Sequence, residues 1–256
     1  MLQRGDHQLD TRFALREERA VNVARLGRGG EPVIVIDGLM RDPAELIDHA
    51  AALSFLPADE ARGGYPGIRA PAPRDYAERL VRAVDPLIRA TFATGDIVAV
   101  RADSSFSLVT APAESLHVMQ RVPHVDTSNP LRFALLHFLC GPPFGGTAFF
   151  RQRRTGLEQV APQDSEAFRA ARQRDFAELP SPSGYPNAQT PGYEQIAAFA
   201  ARMDRLLVYR SFSLHSGIIP PATPLAADPR RGRLTANIFV DYEPGDQAAA
   251  RALAER

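Results

Sequence analysis

The sequence contains no lysine, so all thirty of its basic residues are arginines. Chemistry that requires a lysine is therefore excluded, including Schiff-base catalysis, a pyridoxal-phosphate lysine and a Walker-type phosphate loop. Cys140 is the single cysteine, and we interpret it as a small buried hydrophobe. A chain that cannot form an internal disulfide fits a reducing compartment. Because the first residues also lack the apolar run of a signal peptide, we expect a cytoplasmic protein.

The chain also lacks net charge and long apolar segments. Thirty acidic residues cancel the thirty arginines, so no broad field attracts nucleic acid or an anionic surface. Its apolar runs are far shorter than the roughly 20 residues that cross a bilayer. We therefore expect neither nucleic acid nor a membrane as a partner. The nucleophile elbow G-x-S-x-G, the zinc helix H-E-x-x-H and a C-x-x-C pair are missing as well.

The pattern along the chain predicts one domain over residues 1–256. A strand at 33–39 and a helix after Asp42 come first. A longer amphipathic helix follows at about 74–92, and we expect Pro86 to kink or divide it. We interpret residues 1–95 as mainly helical support, and residues at about 152–204 as an insertion with helices near 164–178 and 193–203.

The second half is rich in β-sequence. Short runs of β-branched and aromatic residues are separated by Gly, Pro, Asn and Asp, which is typical of strands joined by turns. Helices followed by many short strands predict a mainly β fold with flanking helices (α+β), a barrel or a sandwich. The predicted strands are 97–102, 105–110, 116–122, 131–140, 147–151, 205–214 and 233–241.

A short His-x-Asp motif is the first chemical signal. Residues i and i+2 of an extended strand point to the same side, so His124 and Asp126 offer an imidazole and a carboxylate together. His215, which ends an apolar strand-like run, offers a second imidazole. Two histidines and one carboxylate form a metal site that leaves open positions and suits Fe(II).

An arginine and a hydroxyl residue follow the distal histidine. On the predicted strand at 233–241, Arg233 and Thr235 share one face, and together they are well suited to bind a carboxylate. Arg230 and Arg231 are nearby alternatives for the arginine.

This order of residues resembles the Fe(II)/2-oxoglutarate-dependent dioxygenase superfamily, and within it uncharacterised bacterial members. The resemblance covers about residues 97–241 and implies a double-stranded β-helix (jelly-roll, cupin-like) core. It also implies that His124, Asp126 and His215 bind iron, and that Arg233 and Thr235 bind the far carboxylate of 2-oxoglutarate. The Gly145-Gly146 turn is similar to a hairpin that often separates the two halves of the motif.

Further residues share the face of these candidates. Gln120 and His124 differ by an even number of positions, as do Tyr209 and His215, so in an extended strand each pair would point to the same face. Both Gln120 and Tyr209 are therefore candidates for the co-substrate pocket. His137 could line the pocket too, but we interpret it as structural packing. We expect residues 62–75 and the insertion at 152–204 to cover the site and select the substrate.

The predicted function is that of an enzyme, a 2-oxoglutarate-dependent dioxygenase with Fe(II) as cofactor, 2-oxoglutarate as co-substrate, and O2. Because Asp126 is present where the related halogenases lack a carboxylate, hydroxylation or desaturation of a small molecule or peptide is favoured. Two alternatives stay open. One is a cupin-like metalloenzyme that does not use 2-oxoglutarate, and the other is a non-catalytic jelly-roll binding protein. The sequence identifies neither the substrate nor the oligomeric state.

Overall fold

The computed structural model describes residues 12–58, 64–180 and 184–248. Eleven strands and three α-helices form its framework. The helices are α1 (Ala44–Ala51), α2 (Arg74–Phe92) and α3 (Ser165–Ala177). The strands are β1 (Ala20–Leu26), β2 (Glu31–Asp37), β3 (Leu56–Pro57), β4 (Gly67–Pro71), β5 (Ile97–Val109), β6 (Arg132–Phe138), β7 (Gly146–Gln152), β8 (Tyr193–Ala200), β9 (Arg205–Arg210), β10 (His215–Ile218) and β11 (Leu234–Pro244).

The strands form two antiparallel sheets. The larger sheet has the order β1-β2-β9-β6-β11-β5-β4-β3, and the smaller has the order β10-β7-β8. An isolated bridge between His124 and His215 places the segment around His124 beside β10. From β5 onward the chain crosses repeatedly between the two sheets, with β7 and β8 consecutive in the smaller one, which is the path of a jelly roll. The predicted mainly β jelly-roll fold with flanking helices is confirmed.

Strand β11 shows how the sequence builds both sides of the larger sheet. Leu234, Ala236, Ile238 and Val240 pack into a core that also contains the buried face of α2. The alternate residues of the strand point into the space between the sheets, as the period of two predicts. That space is filled at one end by apolar side chains such as Phe149 and Leu207. At the other end it is open as a cavity.

Four sequence expectations need correction. Residues 193–200 form β8 rather than a helix, and they pair with β7. Residues 118–121 form a short 3-10 helix rather than a strand. The two strands expected at 97–110 are one strand, β5. Helix α2 is not divided at Pro86, which lies on its exposed side, where water can replace the lost hydrogen bond.

The N-terminal part and the expected insertion also differ from their predictions. Residues 12–95 supply α1 and α2, but they add four strands, β1 to β4, to the larger sheet. Because β8 is a core strand, only residues 153–192 separate β7 from it. Helix α3 confirms the helix expected near 164–178. Within the described residues, no helix has the length and apolar character required to span a bilayer.

Candidate metal centre

Three side chains from different parts of the jelly roll meet at the open end between the sheets. The ligand atoms of His124, Asp126 and His215 all lie within 4.8 Å of one another. Nε2 of His124 is 3.8 Å from Oδ1 of Asp126, and Nε2 of His215 is 3.8 Å from Oδ2 of Asp126. Ligands that each lie about 2 Å from one ion are separated by roughly 3–4 Å. The spacing therefore fits a single metal ion.

The backbone fixes this arrangement. His124 and His215 exchange two backbone hydrogen bonds of 2.9 and 2.8 Å, and the amide of Asp126 donates to the Ser211 carbonyl at 3.0 Å. The extended segment 124–126 thus runs beside β10 and its preceding turn, so that alternate side chains point to the same side. The predicted convergence of His124 and Asp126 follows from this pairing.

One histidine is oriented by a second contact. Nδ1 of His215 lies 2.9 Å from the Ser213 carbonyl oxygen. A carbonyl can only accept, so Nδ1 carries the proton and Nε2 presents its lone pair to Asp126 and the cavity. A backbone carbonyl behind a histidine is a common way of fixing the tautomer of a metal ligand.

Burial shifts the pKa values of two of the candidate ligands. Burial, with smaller contributions from His215, Arg172 and Arg69, lowers the pKa of His124 to about 3, so its ring is neutral and able to bind metal. Burial also raises the pKa of Asp126. A carboxylate that is enclosed in this way is stabilised as an anion by a nearby divalent ion. The donor set therefore fits a metal.

A cavity of about 390 Å³ lies against the three residues, a size typical of small-molecule sites. The charged residues that line it, histidines aside, are Arg69, Asp126, Arg172 and Arg233. The loop before β4 contributes Tyr65, and the segment between β7 and β8 contributes Tyr185. Both regions that were expected to cover the site thus line the cavity.

The predicted carboxylate-binding pair also faces this cavity. Arg233 is buried and donates from Nε to the Phe144 carbonyl (3.0 Å) and from Nη2 to the Gly146 carbonyl (2.8 Å). These carbonyls flank Gly145, whose φ of 81° favours glycine. The turn therefore positions the guanidinium. Within the described part of the chain, Nη1 of Arg233 donates no hydrogen bond. The hydroxyl of Thr235 is held by the amide of Asn237 at 3.2 Å.

The alternative arginines lie elsewhere. Arg230 is exposed and pairs with Asp48 at 2.7 Å. Arg231 is exposed as well, and neither residue lines the cavity. Arg233 is therefore the arginine of this region that faces the metal centre.

Gln120 and Tyr209 both line the cavity. Strand parity does not explain their positions, because Gln120 lies in a 3-10 helix and Tyr209 lies in a different strand from His215. The side chain of Gln120 donates from Nε2 to the Gly64 carbonyl (2.6 Å) and accepts at Oε1 from the His117 backbone amide (2.8 Å). It therefore connects two loops. Tyr209 is buried with its ring 5.1 Å from that of His215. Burial and the charge of Asp126 raise its pKa, so the hydroxyl stays protonated and can donate.

His137 has the structural role that was expected. It is fully buried, with Nε2 3.0 Å from Oδ1 of Asp204 and Nδ1 2.9 Å from the hydroxyl of Tyr76. Its neighbours in β6, Phe133 and Leu135, belong to the core beneath α2. It does not line the cavity.

Tyr65, Arg69 and Arg172 line the cavity but were not named individually as site residues from the sequence. Arg69 pairs in register with Ser107, and Ser107 with Thr235, so the three side chains form a row on one face of the larger sheet. The sequence interpretation treated the segment with Tyr65 and Arg69 as a loop, whereas residues 67–71 form a strand whose alternate side chains share a face. The buried Tyr65 hydroxyl lies near Thr235 and Arg233 without a hydrogen bond of good geometry to a described residue.

Comparisons with known proteins give a family and remote structural likenesses. A family described as "Family of unknown function (DUF6445)" matches residues 17–240. No curated protein matches the chain. HygX from Streptomyces hygroscopicus, with nickel and 2-oxoglutarate bound, is 12% identical, with 83% of each chain covered and a TM-score of 0.40.

Two other solved structures are similarly distant. SnoN, a non-heme alpha-ketoglutarate-dependent epimerase from nogalamycin biosynthesis, is 12% identical over 82% of this chain and 79% of its own, with a TM-score of 0.43. An N-substituted L-amino acid dioxygenase from Burkholderia ambifaria AMMD is 10% identical over 88% and 94%, with a TM-score of 0.38. At these distances the function has to be argued from the chain's own residues.

Proposed function

The chain belongs to the DUF6445 family, and from its own site we propose that it is an Fe(II)- and 2-oxoglutarate-dependent oxygenase. Its reaction would be hydroxylation or desaturation of a small molecule or peptide. The observation that carries the proposal is the meeting of His124, Asp126 and His215 around a space for one ion, beside a cavity of small-molecule size. Two imidazoles and one carboxylate leave coordination positions open, as Fe(II) oxygenases require.

The co-substrate would lie between the metal ligands and Arg233. A 2-oxo acid has a carboxylate and a ketone that can chelate a metal, and a second carboxylate at its far end. The free Nη1 of Arg233 and the hydroxyls of Thr235 and Tyr65 are the donors available for that far carboxylate. A charge-assisted contact to a buried guanidinium gives both affinity and orientation.

The chemistry that Fe(II) and 2-oxoglutarate supply when bound is reduction of O2, coupled to oxidative decarboxylation of the co-substrate to succinate and CO2. The protein's own contribution is to orient and enclose. Asp126, His124 and His215 would hold the ion from one side, and Tyr209 presents a protonated hydroxyl beside them. Tyr65 and Tyr185 belong to the cavity wall, where their rings would limit access of water.

The proposal is tested by adding Fe(II) and 2-oxoglutarate to the protein without O2. A weak visible charge-transfer band should appear, and it should be missing in His124→Ala. Well-folded, iron-loaded protein that shows no band would overturn the proposal. The matched control is His49→Ala, because His49 lies on α1 outside the cavity.

A metalloenzyme that does not use 2-oxoglutarate is the second candidate. It is favoured by the two hydrogen bonds of Arg233 to backbone carbonyls, which give this arginine a structural use of its own. In that case the protein would bind metal, but it would neither retain 2-oxoglutarate nor release succinate. Equilibrium dialysis with labelled 2-oxoglutarate separates the two functions.

A further inference from the structure

Two further arginines reach the cavity from opposite sides. Arg69 lies in β4, on the row of the larger sheet that includes Thr235. Arg172 lies in α3, within the segment between β7 and β8. Both line the cavity together with His124 and Asp126.

Neither guanidinium has a counterion among the described residues. No described carboxylate lies within 4.0 Å of either one, and neither makes a hydrogen bond within the described part of the chain. In both residues Nε is buried without a partner. The contrast with Arg151 and Arg154 is clear, because each of those binds two carboxylates. A buried donor without a partner destabilises a folded protein, and a ligand in the cavity would supply the missing acceptor.

Aromatic rings hold both arginines in place. The Arg69 guanidinium carbon lies 4.8 Å from the centre of the Tyr65 ring. That of Arg172 lies 5.4 Å from Phe168 and 5.7 Å from Phe176. Stacking on a ring fixes the plane of a guanidinium without consuming its donors. Both groups are thus held in place before any ligand arrives.

The charge of the cavity shows which ligand would fit. Among the described residues that line it, three guanidiniums face one carboxylate, that of Asp126. Under the proposed function, Fe(II) would add two positive charges and the 2-oxoglutarate dianion would cancel them. Two positive charges, equal in number to those of Arg69 and Arg172, would then be left in the cavity. A neutral substrate would leave both of them uncompensated in an enclosed space.

We propose that the molecule oxidised at this centre is an anion whose carboxylate or phosphate group is bound by Arg69 and Arg172. The inference rests on the proposed function and adds the chemical class of its substrate. Arg233 would hold the co-substrate, while the other two arginines would hold the substrate. Both roles agree with the chemistry of guanidinium groups, which bind carboxylates and phosphates through paired donors.

The test uses full-length protein loaded with redox-inactive Mn(II) and saturating labelled 2-oxoglutarate. Calorimetry measures binding of two matched pairs, benzoate with benzamide and phenyl phosphate with benzyl alcohol. At least one anion should bind more tightly than its neutral partner, and which one does so distinguishes carboxylate from phosphate. Arg69→Met and Arg172→Met should each weaken that anion roughly 10- to 100-fold, the loss expected for a charge-assisted hydrogen bond.

Matched controls make the result specific. Arg174→Met removes an exposed arginine two positions from Arg172 on the same helix, and it should leave the affinity unchanged. Arg69→Gln and Arg172→Gln repeat the test if the methionine variants fold poorly. Equal binding of anions and neutral partners, no binding of either, or full affinity in the arginine variants would overturn the substrate class. Failure of the proposed function is distinguishable, because wild-type protein would then not retain labelled 2-oxoglutarate.

Discussion

His124 and His215 are joined by a pair of backbone hydrogen bonds, from each amide to the other residue's carbonyl. Main-chain pairing between two segments that are distant in sequence therefore fixes the distance between these two candidate metal ligands. A site built in this way is present in the fold before metal arrives, in contrast to small metal-dependent domains that fold only around their ion.

Metal removal should accordingly leave the fold intact. After chelation the far-UV circular dichroism spectrum should be unchanged, and addition of Mn(II) should raise the melting temperature. At a metal concentration 100 times the Kd, binding adds about 2.7 kcal/mol of stability. In His124→Ala this rise should vanish while the apo melting temperature stays close to wild type. An apo protein without secondary structure would contradict the expectation of a preformed site.

Arg233→Met should weaken binding of 2-oxoglutarate roughly 10- to 100-fold, because the variant removes the charge available to its far carboxylate. Thr235→Val, which keeps the shape and loses the hydroxyl, should weaken it several-fold. Equilibrium dialysis with Mn(II)-loaded protein gives both values. Arg230→Met is the control, since Arg230 is exposed and pairs with Asp48. Unchanged affinity in Arg233→Met would favour the metalloenzyme that does not use 2-oxoglutarate.

Gly145→Ala should destabilise the protein more than Gly156→Ala. Both glycines have positive φ, 81° and 75°, a backbone conformation that is expected to cost an alanine about 1–3 kcal/mol. A methyl group at Gly145 would in addition collide with the Ile218 carbonyl, whereas nothing lies within 4 Å at Gly156. Urea denaturation measures the difference. Because the Gly145 turn positions Arg233, only Gly145→Ala should also weaken 2-oxoglutarate binding.

His137→Phe should lower stability by roughly 1–3 kcal/mol, the loss expected when a buried polar partner is removed. The variant leaves the carboxylate of Asp204 with its bonds from the Met40 amide alone and the hydroxyl of Tyr76 without a partner. The Kd for Mn(II) should not change, because His137 lies on the helix-covered face of the sheet, away from the cavity. A loss of metal affinity in a folded variant would show that this histidine also supports the centre.

The sequence identified the residues that meet at the candidate metal centre more readily than those that line the rest of the cavity. His124 and Asp126 converge through a local period of two, and Thr235 follows Arg233 with the same period, so a short window contains the information. Arg69 faces the cavity because β4 pairs with β5 in one particular register. Arg172 does so because α3 packs over the smaller sheet through Phe168. Neither relationship can be read from local periodicity.

The misassigned strand has a similar explanation. Residues 193–200 contain three alanines and favour a helix by intrinsic propensity. Pairing with β7 along seven registered positions outweighs that preference. Conversely, the segment at 116–122 is β-rich in composition, but hydrogen bonds between His117 and Gln120 close a tight turn there instead.

Helix α3 lies in the stretch 153–192, between two strands of the smaller sheet, and is anchored by Phe168 and Ala171. Arg172 and the three candidate metal ligands therefore lie in separate segments of the chain. Changes confined to residues 153–192 would alter the wall of the cavity, and with it the choice of substrate, without altering His124, Asp126 or His215.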